Sequence, residues 1–473
     1  MSGQRFDDIA LCPGRTVDPD SGLLKDCPGC AADLEPFFLG QGASFKWRSP
    51  SLEYRLFYYS PEIDERILHA YWYQPESVWA SYVADASGPE WSTSDCIIEK
   101  SGYYRMAVRS RCEGELPKNC GEAAEVVPER TEPDMTWMTP EIGDTVRKIR
   151  ERTREGDLLF FLLSDTHYGA GCRWDDTLYS LKKTAEETAP DGVIHLGDLT
   201  DGITPLFQTL RYADRVIGGL RSLGVPVHLC IGNHDMNYFR GNPEVMTEEQ
   251  CAVHYLGRRS GCRVLDFPDQ RLRTIFLDSF SPFRRERYGF SAREVLWLCG
   301  RLLDAPDGFR ILVLSHVTPA AEMHVWSRRI LNGDIALRLL RILGNRGNRR
   351  VLGWICGHNH ADQFLKKHSV PIVAVGCGKP EDFTDHKPYG SVTYPREIGT
   401  ASQELWDALL IGRDGRMEFI RCGAGRDRRL QDGEWQEDAD EGTGSGNAQK
   451  APDDGTGASQ GSGQDMQEKR YPL

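Results

Sequence analysis

Five apolar runs between residues 158 and 356 each stop abruptly at a short motif of Asp, Asn or His. A short apolar run that ends in polar residues is typical of a buried strand whose last residues reach one edge of a sheet. The predicted strands are Leu158–Leu163, Val193–Leu196, Val227–Ile231, Ile311–Leu314 and Val351–Cys356. The motifs that follow them are Asp165-Thr166-His167, Gly197-Asp198-Leu199-Thr200-Asp201, Gly232-Asn233-His234-Asp235, Ser315-His316 and Gly357-His358-Asn359-His360. Such strands would gather acids, imidazoles and an amide around a single point.

The residue types in these motifs suit divalent metal ions. Carboxylates and neutral imidazoles are good ligands for first-row divalent metals, and a carboxylate can bridge two ions about 3.5–4 Å apart. Glycines stand directly before three of the candidate ligands, at Gly197, Gly232 and Gly357. A side chain there would crowd the ions or forbid the dihedral angles of the turn. The sequence therefore predicts a two-metal hydrolase centre.

The order and spelling of the motifs resemble the calcineurin-like metallophosphoesterase superfamily, whose pattern is D-x-H, G-D-x-x-D, G-N-H-D/E, a lone H after a strand, and G-H-x-H. The resemblance covers residues 157–422. It implies a four-layer α/β/β/α sandwich, in which two mixed sheets pack together and helices flank them. It also implies a cofactor of two divalent metal ions, with manganese, iron and zinc as the candidates.

The resemblance further implies a role for each motif residue. The first ion would be held by Asp165, His167 and His360, the second by Asn233, His316 and His358, and Asp198 would bridge both. His234 would be the catalytic residue and would face the substrate, where it stabilises phosphoryl charge or protonates the leaving group. Asp201 and Asp235 would accept hydrogen bonds that orient an imidazole. An ordinary role as turn or capping carboxylates stays open for these two.

The expected reaction is hydrolysis of a phosphate monoester or diester. A hydroxide shared by the two metal ions would attack in line, and no phosphoenzyme would form. Two other functions stay open, a nuclease and a non-catalytic binding or scaffold protein on the same fold. A scaffold predicts at least one broken motif, and every motif is intact. Loops over the site would select the substrate, and they are predicted at residues 168–175, 236–247 and 317–333.

At 473 residues, the chain exceeds a usual single domain. The metallophosphoesterase-like domain is predicted at 141–424, with helices at 176–188, 206–223 and 291–303 and further strands at 370–375, 409–411 and 417–420. Ser291 and Glu294 have the spacing of a capping box. A Glu- and Pro-rich linker is predicted at 112–140, and a disordered acidic tail rich in Gly and Ser at 425–473.

Residues 1–111 have a different pattern, which predicts a smaller all-β, sandwich-like domain. Its short aromatic, alternating runs are Leu52–Tyr59, Ile67–Tyr73, Val78–Val83 and Tyr103–Val108. Through Ser101-Gly102-Tyr103-Tyr104-Arg105, this part resembles the β-sandwich accessory modules of phage-tail and surface enzymes. Its aromatic side chains would bind a carbohydrate or a protein, or else form the core of the sandwich. They are Trp47, Tyr54, Phe57, Tyr58, Trp72, Trp79 and Trp91.

Charge restricts the partners only weakly. From Leu430 onward, ten acids against three bases contribute −7 of the net charge of −13, so much of the acidity belongs to the tail. Neither domain is basic enough to favour nucleic acid as a partner. Arg284, Arg285 and Arg287 form a local basic cluster, interpreted as solvated surface, with contact to a phosphate-rich ligand as the alternative.

The compartment is predicted from targeting signals and cysteines. The chain opens with no signal-peptide pattern, and no stretch approaches the ~20 apolar residues of a membrane span. Cys230 and Cys356 lie on predicted buried strands, which favours a reducing cytoplasm. A phage or secreted assembly reached by a non-classical route is the alternative. Cys27-Pro28-Gly29-Cys30 is the one candidate zinc-binding pair.

Overall fold

The structure is a computed structural model of the chain. In the N-terminal part it describes residues 4–5, 11–18, 24–33, 37–39, 44–59, 91–98, 102–111 and 124–127. In the remainder it describes residues 135–169, 172–202, 206–238, 242, 244–324, 327, 329–380, 387–388, 390–438 and 447–448. The predicted runs Ile67–Tyr73 and Val78–Val83, with Trp72 and Trp79, lie outside the described residues.

The N-terminal part forms two antiparallel sheets. Its strands are β1 (Gln4–Arg5), β2 (Leu11–Val17), β3 (Leu24–Asp33), β4 (Phe37–Leu39), β5 (Ser44–Trp47), β6 (Leu52–Tyr59), β7 (Cys96–Ile97), β8 (Gly102–Ser110) and β9 (Ala124–Val127). One sheet has the order β1-β9-β5-β7, and in the other β8 pairs with β3, β4 and β6. Side chains of β5, β6 and β8 share one hydrophobic core. The predicted all-β domain is therefore confirmed.

Three of the aromatic residues considered for ligand binding are buried, and two of them, Trp47 and Tyr54, belong to this core. Trp47, Tyr54 and Phe57 are 6%, 1% and 2% exposed, so they stabilise the domain and are not available to a ligand. The predicted linker is also wrong in part, because β9 lies within residues 112–140 and pairs with β5. Its Val126 and Val127 are β-branched residues that suit a strand.

Cys27 and Cys30 are free thiols, and no metal-binding group among the described residues includes them.

The second part contains two larger sheets. Its strands are β10 (Leu158–Leu163), β11 (Gly192–His195), β12 (Val227–Leu229), β13 (Arg263–Phe267), β14 (Leu272–Leu277), β15 (Arg310–Ser315), β16 (Arg350–Cys356), β17 (Gln363–Lys367), β18 (Val370–Ala374), β19 (Val392–Thr393), β20 (Leu405–Ile411), β21 (Met417–Gly423), β22 (Arg428–Gln431), β23 (Glu434–Glu437) and β24 (Asn447–Ala448). The seven-stranded sheet has the order β12-β11-β10-β20-β21-β22-β23, and the six-stranded sheet has the order β13-β14-β15-β16-β18-β17. β19 and β24 form a separate pair.

Helices connect and cover these strands. The α-helices are α1 (Thr139–Arg152), α2 (Trp174–Thr188), α3 (Leu206–Arg221), α4 (Glu248–Leu256), α5 (Ala292–Leu303) and α6 (Gly333–Leu343). Single 3₁₀ turns lie at Thr136–Met138, His234–Met236, Ala321–Met323 and Ala401–Gln403. The predicted capping box is present, since Ser291 accepts from the backbone N–H of Glu294, and the Glu294 side chain accepts from the backbone N–H of Ser291. In the part of the chain that the structure describes, none of the helices is both long enough and apolar enough to cross a membrane.

The strand β10 shows how the layers form. Its residues alternate, so that Leu158, Phe160 and Leu162 face the six-stranded sheet, where they join one core with residues of β14, β15 and β16. Leu159, Phe161 and Leu163 face the other way and pack against α1, α2 and α3. The outer face of the six-stranded sheet is covered by α5 and α6. The predicted four-layer α/β/β/α sandwich is confirmed.

The C-terminal boundary predicted at residue 424 is wrong. The chain continues into the hairpin β22–β23, which extends the seven-stranded sheet. Leu430 is 2% exposed, and the ring of Trp435 stacks on Phe364 with 4.9 Å between centroids. Asp432 and Gly433 both have positive φ, 55° and 79°, as a two-residue hairpin turn requires. The Asp-Gly pair flanked by Leu430 and Trp435 was therefore a hairpin signal inside an otherwise polar segment.

Candidate metal centre

The metal motifs meet where the carboxyl ends of the two sheets adjoin. β10, β11 and β12 are parallel neighbours in one sheet, and β15 and β16 are parallel neighbours in the other. The loops after these strands bring together all seven residues proposed as ligands. Five of them have a positive φ, which is uncommon for residues other than glycine but is tolerated best by Asn, Asp and His. They are Asp165 (53°), His167 (44°), Asp198 (55°), His358 (68°) and His360 (51°).

One group of ligand atoms surrounds Asp165. Nε2 of His167 and Nε2 of His360 lie 3.0 Å apart. Oδ1 of Asp165 lies 3.3 Å from the His360 nitrogen and 3.7 Å from the His167 nitrogen. Oδ2 of Asp198 lies 3.8 Å from Nε2 of His167. These four residues are the set expected to hold the first ion.

A second group surrounds His316. Its Nε2 lies 3.1 Å from Oδ2 of Asp198, 3.2 Å from Oδ1 of Asn233 and 3.1 Å from Nδ1 of His358. The same oxygen of Asp198 therefore faces both groups, as a bridging carboxylate must. Both groups take ligands from both sheets.

The chemistry of these atoms fits two divalent cations. Oδ1 of Asp165 and Oδ2 of Asp198 are buried and accept no hydrogen bond within the described part of the chain. A buried anionic oxygen without a partner is costly, and a cation would supply that partner. Nδ1 of His316 donates its hydrogen to the carbonyl of Leu196 at 3.0 Å, which leaves the lone pair of Nε2 pointing into the centre.

The remaining carboxylate oxygens hold the loops in place. Oδ2 of Asp165 accepts from the backbone N–H of His358 at 3.0 Å, and Oδ1 of Asp198 accepts from that of His234 at 2.8 Å. Burial alone would raise the pKa of both carboxyls, yet the neighbouring imidazoles outweigh it and hold the pKa of each below its ordinary range. Both groups are therefore anionic at neutral pH, as metal ligands must be.

His234 lies beside the ligands, and its ring centroid is 4.9 Å from that of His167. Its Nδ1 donates to the backbone carbonyl of Asp201 at 2.5 Å, so Nε2 faces the centre. The Asp201 carboxylate lies 3.3 Å from Nδ1 of His167. Asp201 thus positions two imidazoles, one through its carboxylate and one through its carbonyl. Burial lowers the pKa of His234 to about 4.

Asp235 does not orient an imidazole, and this expectation is corrected. Its carboxylate accepts from the backbone N–H groups of Asp198 at 2.9 Å, Leu199 at 2.7 Å and Gly232 at 2.8 Å. These bonds tie the loop after β11 to the loop after β12. Asp235 therefore holds Asp198 in place through its backbone N–H. This is the role of a turn carboxylate, which was the alternative for Asp235 in the sequence.

The glycines are required by close approach of these loops. A Cβ at Gly232 would overlap the Asp198 carboxylate, and one at Gly357 would overlap the Ser164 hydroxyl and the Asp165 carboxylate. Gly197 has a φ of 107° and packs against the backbone of Gly232. The dihedral reason predicted for these glycines is therefore confirmed at Gly197, whereas at Gly232 and Gly357 a side chain would crowd the neighbouring carboxylates.

Three residues of the site escaped sequence reasoning. Lys379 is 3% exposed, and its Nζ lies 3.3 Å from both carboxylate oxygens of Asp201. The available signal was the apolar run of β18, which also ends at this edge of the sheet. His324 places its Nε2 3.1 Å from Nε2 of His358, and His195 contacts Thr166 with its Nε2 at 2.7 Å from the hydroxyl. His324 and His195 stand in no motif.

Replacing Lys379 with Met is expected to weaken metal binding. The change leaves the Asp201 carboxylate buried without its cation, and loss of one partner of a buried pair costs about 3–5 kcal/mol. Because Asp201 holds His167, metal affinity should fall by about 10–100-fold, as is usual for residues that support a ligand. Isothermal titration of the metal-free protein with manganese measures this. Lys367→Met, which removes an exposed pair with Glu322, is the matched control. Unchanged affinity in Lys379→Met would contradict the role.

Parts of the chain are similar to known proteins. The sequence model of the family described as calcineurin-like phosphoesterase matches residues 158–376. A search of curated proteins found no match. Among solved structures, a dimetal phosphatase from Danio rerio is similar at 16% identity, with 57% of this chain and 98% of that chain covered and a TM-score of 0.43.

Two further solved structures are similar. Purple acid phosphatase PPD1 from yellow lupin (Lupinus luteus) has 11% identity over 86% of this chain and 73% of its own, with a TM-score of 0.35. GAP50 of Plasmodium, described as the anchor in the inner membrane complex, has 15% identity over 56% and 84%, with a TM-score of 0.36. The family match covers all five motifs whose side chains converge in the structure. The part of the chain that carries all five motifs therefore matches the calcineurin-like phosphoesterase family.

Proposed function

We propose that this protein hydrolyses a phosphate monoester or diester with the help of two divalent metal ions and without a phosphoenzyme. The observation that carries the proposal is the position of Oδ2 of Asp198, which faces both groups of ligand atoms and accepts no hydrogen bond within the described residues. A scaffold protein on the same fold would not need this arrangement. The seven residues proposed as ligands lie close together, which supports an enzyme.

Each group of residues would contribute a separate function. Asp165, His167 and His360 would hold one ion, Asn233, His316 and His358 the other, and Asp198 both. When bound, the ions would polarise the phosphoryl oxygens and lower the pKa of a water molecule. His234, fixed by the Asp201 carbonyl, would present Nε2 to the substrate, to stabilise charge on a phosphoryl oxygen or to pass a proton to the leaving oxygen.

Four hydroxyl and thiol groups close to the proposed ligands are poor candidates for a nucleophile. The Ser164 hydroxyl donates to the Asp165 carboxylate, and Sγ of Cys377 donates to the Asp165 carbonyl at 3.0 Å. Burial raises the pKa of the Cys172 and Cys356 thiols to about 12, which keeps them protonated and poor nucleophiles. These contacts support attack by water rather than by a side chain.

Hydrolysis assays test the proposal directly. Purified protein is incubated with manganese, iron or zinc and assayed against p-nitrophenyl phosphate and bis-p-nitrophenyl phosphate. We expect release of nitrophenol that depends on added metal and is removed by a chelator. Faster turnover of the monoester or of the diester assigns the substrate class. Metal-loaded protein that hydrolyses neither ester, nor other phosphate esters, would refute the proposed function.

A further inference from the structure

A hairpin arm, residues 279–289, rises from the edge of the sheet that carries the metal motifs. It follows β14, and its two sides are joined by hydrogen bonds from the backbone N–H of Gly289 to the carbonyl of Ser279 and from that of Ser281 to the carbonyl of Arg287, at 2.8 and 2.9 Å. The Ser279 hydroxyl accepts from the backbone N–H of Val317 at 2.9 Å. Val317 directly follows His316, one of the proposed ligands. This hydrogen bond therefore fixes the base of the arm to the loop after β15.

A chain of aromatic rings runs along this arm. It begins at His358, one of the residues grouped around His316. The ring of Tyr288 lies 5.3 Å from that of His358 and 5.3 Å from that of Phe280. Phe280 in turn lies 5.1 Å from Tyr238, in the loop after His234. Phe280 is fully buried, whereas Tyr238 and Tyr288 are partly exposed. The two tyrosines therefore lie on either side of a buried phenylalanine, and each residue keeps part of its surface accessible.

The arm also carries two of the arginines singled out in the sequence to an exposed position. Arg285 and Arg287 are exposed, and the guanidinium of Arg287 lies 5.4 Å from the centroid of the Tyr238 ring. Arg284 turns inward instead, where it donates to the carbonyl of Gly289 at 3.1 Å and lies 3.5 Å from the Glu294 carboxylate. Arg284 thus stiffens the arm, while Arg287 adds positive charge beside an aromatic face.

We propose that the arm is the substrate-recognition element of this centre and selects phosphoesters whose leaving group contains a planar ring with a negative charge. The ring lies against Tyr288 and Tyr238, and Arg287 faces its charge. Stacking on tyrosine favours flat ligands, and a guanidinium beside the stack favours anionic ones. The proposal rests on the proposed function, because it places the phosphoryl group at the metal ions.

Non-hydrolysable phosphonates separate ring recognition from catalysis. Metal-loaded protein is titrated calorimetrically with methylphosphonate, phenylphosphonate and 4-carboxyphenylphosphonate. Since stacking on an aromatic side chain changes affinity by about tenfold, we expect phenylphosphonate to bind about tenfold more tightly than methylphosphonate. Tyr238→Leu and Tyr288→Leu should remove most of this difference. Arg287→Ala should weaken the carboxylated probe alone.

Tyr179→Leu is the control, because Tyr179 is a partly buried tyrosine on α2 whose ring contacts Lys183. It should keep the full preference for phenylphosphonate. Because the Tyr288 ring contacts His358, Tyr288→Leu also changes the surroundings of a proposed ligand. Tyr238→Leu does not remove this contact, and metal content is measured for every variant. Equal affinity of wild-type protein for methyl- and phenylphosphonate would overturn the proposal, even if the protein hydrolyses phosphate esters. A ring preference without any esterase activity would instead refute the proposed function alone.

Discussion

Asp198→Asn is expected to abolish hydrolysis and to remove at least one metal ion. The neutral amide keeps the size of the side chain but loses the charge that neutralises two cations, and Oδ2 of Asp198 is the atom shared by both groups. The ions would then repel each other across a buried site with no shared anion. Elemental analysis after desalting gives the number of ions per chain, and bis-p-nitrophenyl phosphate gives the rate.

Asp214→Asn provides the control for this variant, since the Asp214 carboxylate is 64% exposed and pairs with His254 at 3.2 Å on the surface. It should keep both ions and full activity. Two ions per chain in Asp198→Asn, together with retained turnover, would show that Asp198 is not the bridge. Loss of both ions, by contrast, would show that neither ion binds without the other.

His234→Ala should lower the catalytic rate by about 10²–10⁴-fold while both ions stay bound, which is the usual scale for a proton-transferring or charge-stabilising group. The expected cause is the position of its imidazole, of which a ring nitrogen lies within 4.8 Å of side-chain atoms of His167 and Asp198. The loss should be smaller for esters with good leaving groups if His234 protonates the leaving oxygen. Rates on a series of aryl esters measure this dependence.

His254→Ala is the matched control, because His254 is a partly exposed histidine on α4 whose partner is Asp214. Metal analysis decides between two roles for His234. The same distances that place it near the substrate would also allow it to bind an ion. If metal content falls in parallel with activity, His234 is a ligand and its assigned role is wrong.

Much of the fold and the site followed from the sequence because two independent patterns coincided. The apolar runs predict strands, and the polar motifs after them can form a single site only if the strand ends meet. β10 was predicted with the correct bounds at Leu158–Leu163, and its alternating burial on two faces produces the two inner layers. The family resemblance also assigned Asp165 and His360 to the same ion, and their side chains lie 3.3 Å apart although 195 positions separate them in the chain.

The parts that were missed lack such repetition. The hairpin β22–β23 has two apolar residues, Leu430 and Trp435, within a polar segment, so composition outweighed the Asp-Gly turn signal. Lys379 is an isolated lysine, and a lysine is most often exposed. Its burial depends on Asp201, a residue 178 positions earlier, and only tertiary structure brings the two together. Asp235 was assigned to an imidazole because the sequence shows which residue types are adjacent but not which backbone groups lack partners.

The left-handed backbone of five of the proposed ligands has a consequence for how this site can change over time. At these positions a β-branched or bulky residue would add roughly 1–3 kcal/mol of strain, independent of any metal. Substitution is therefore confined mainly to Gly, Asn, Asp and His, whether or not the ions are used. A descendant that had lost its chemistry would be held close to the ancestral motifs by the geometry of its loops. Within this fold, conservation of Asp165 and His358 across relatives would record the shape of the backbone as well as the presence of catalysis.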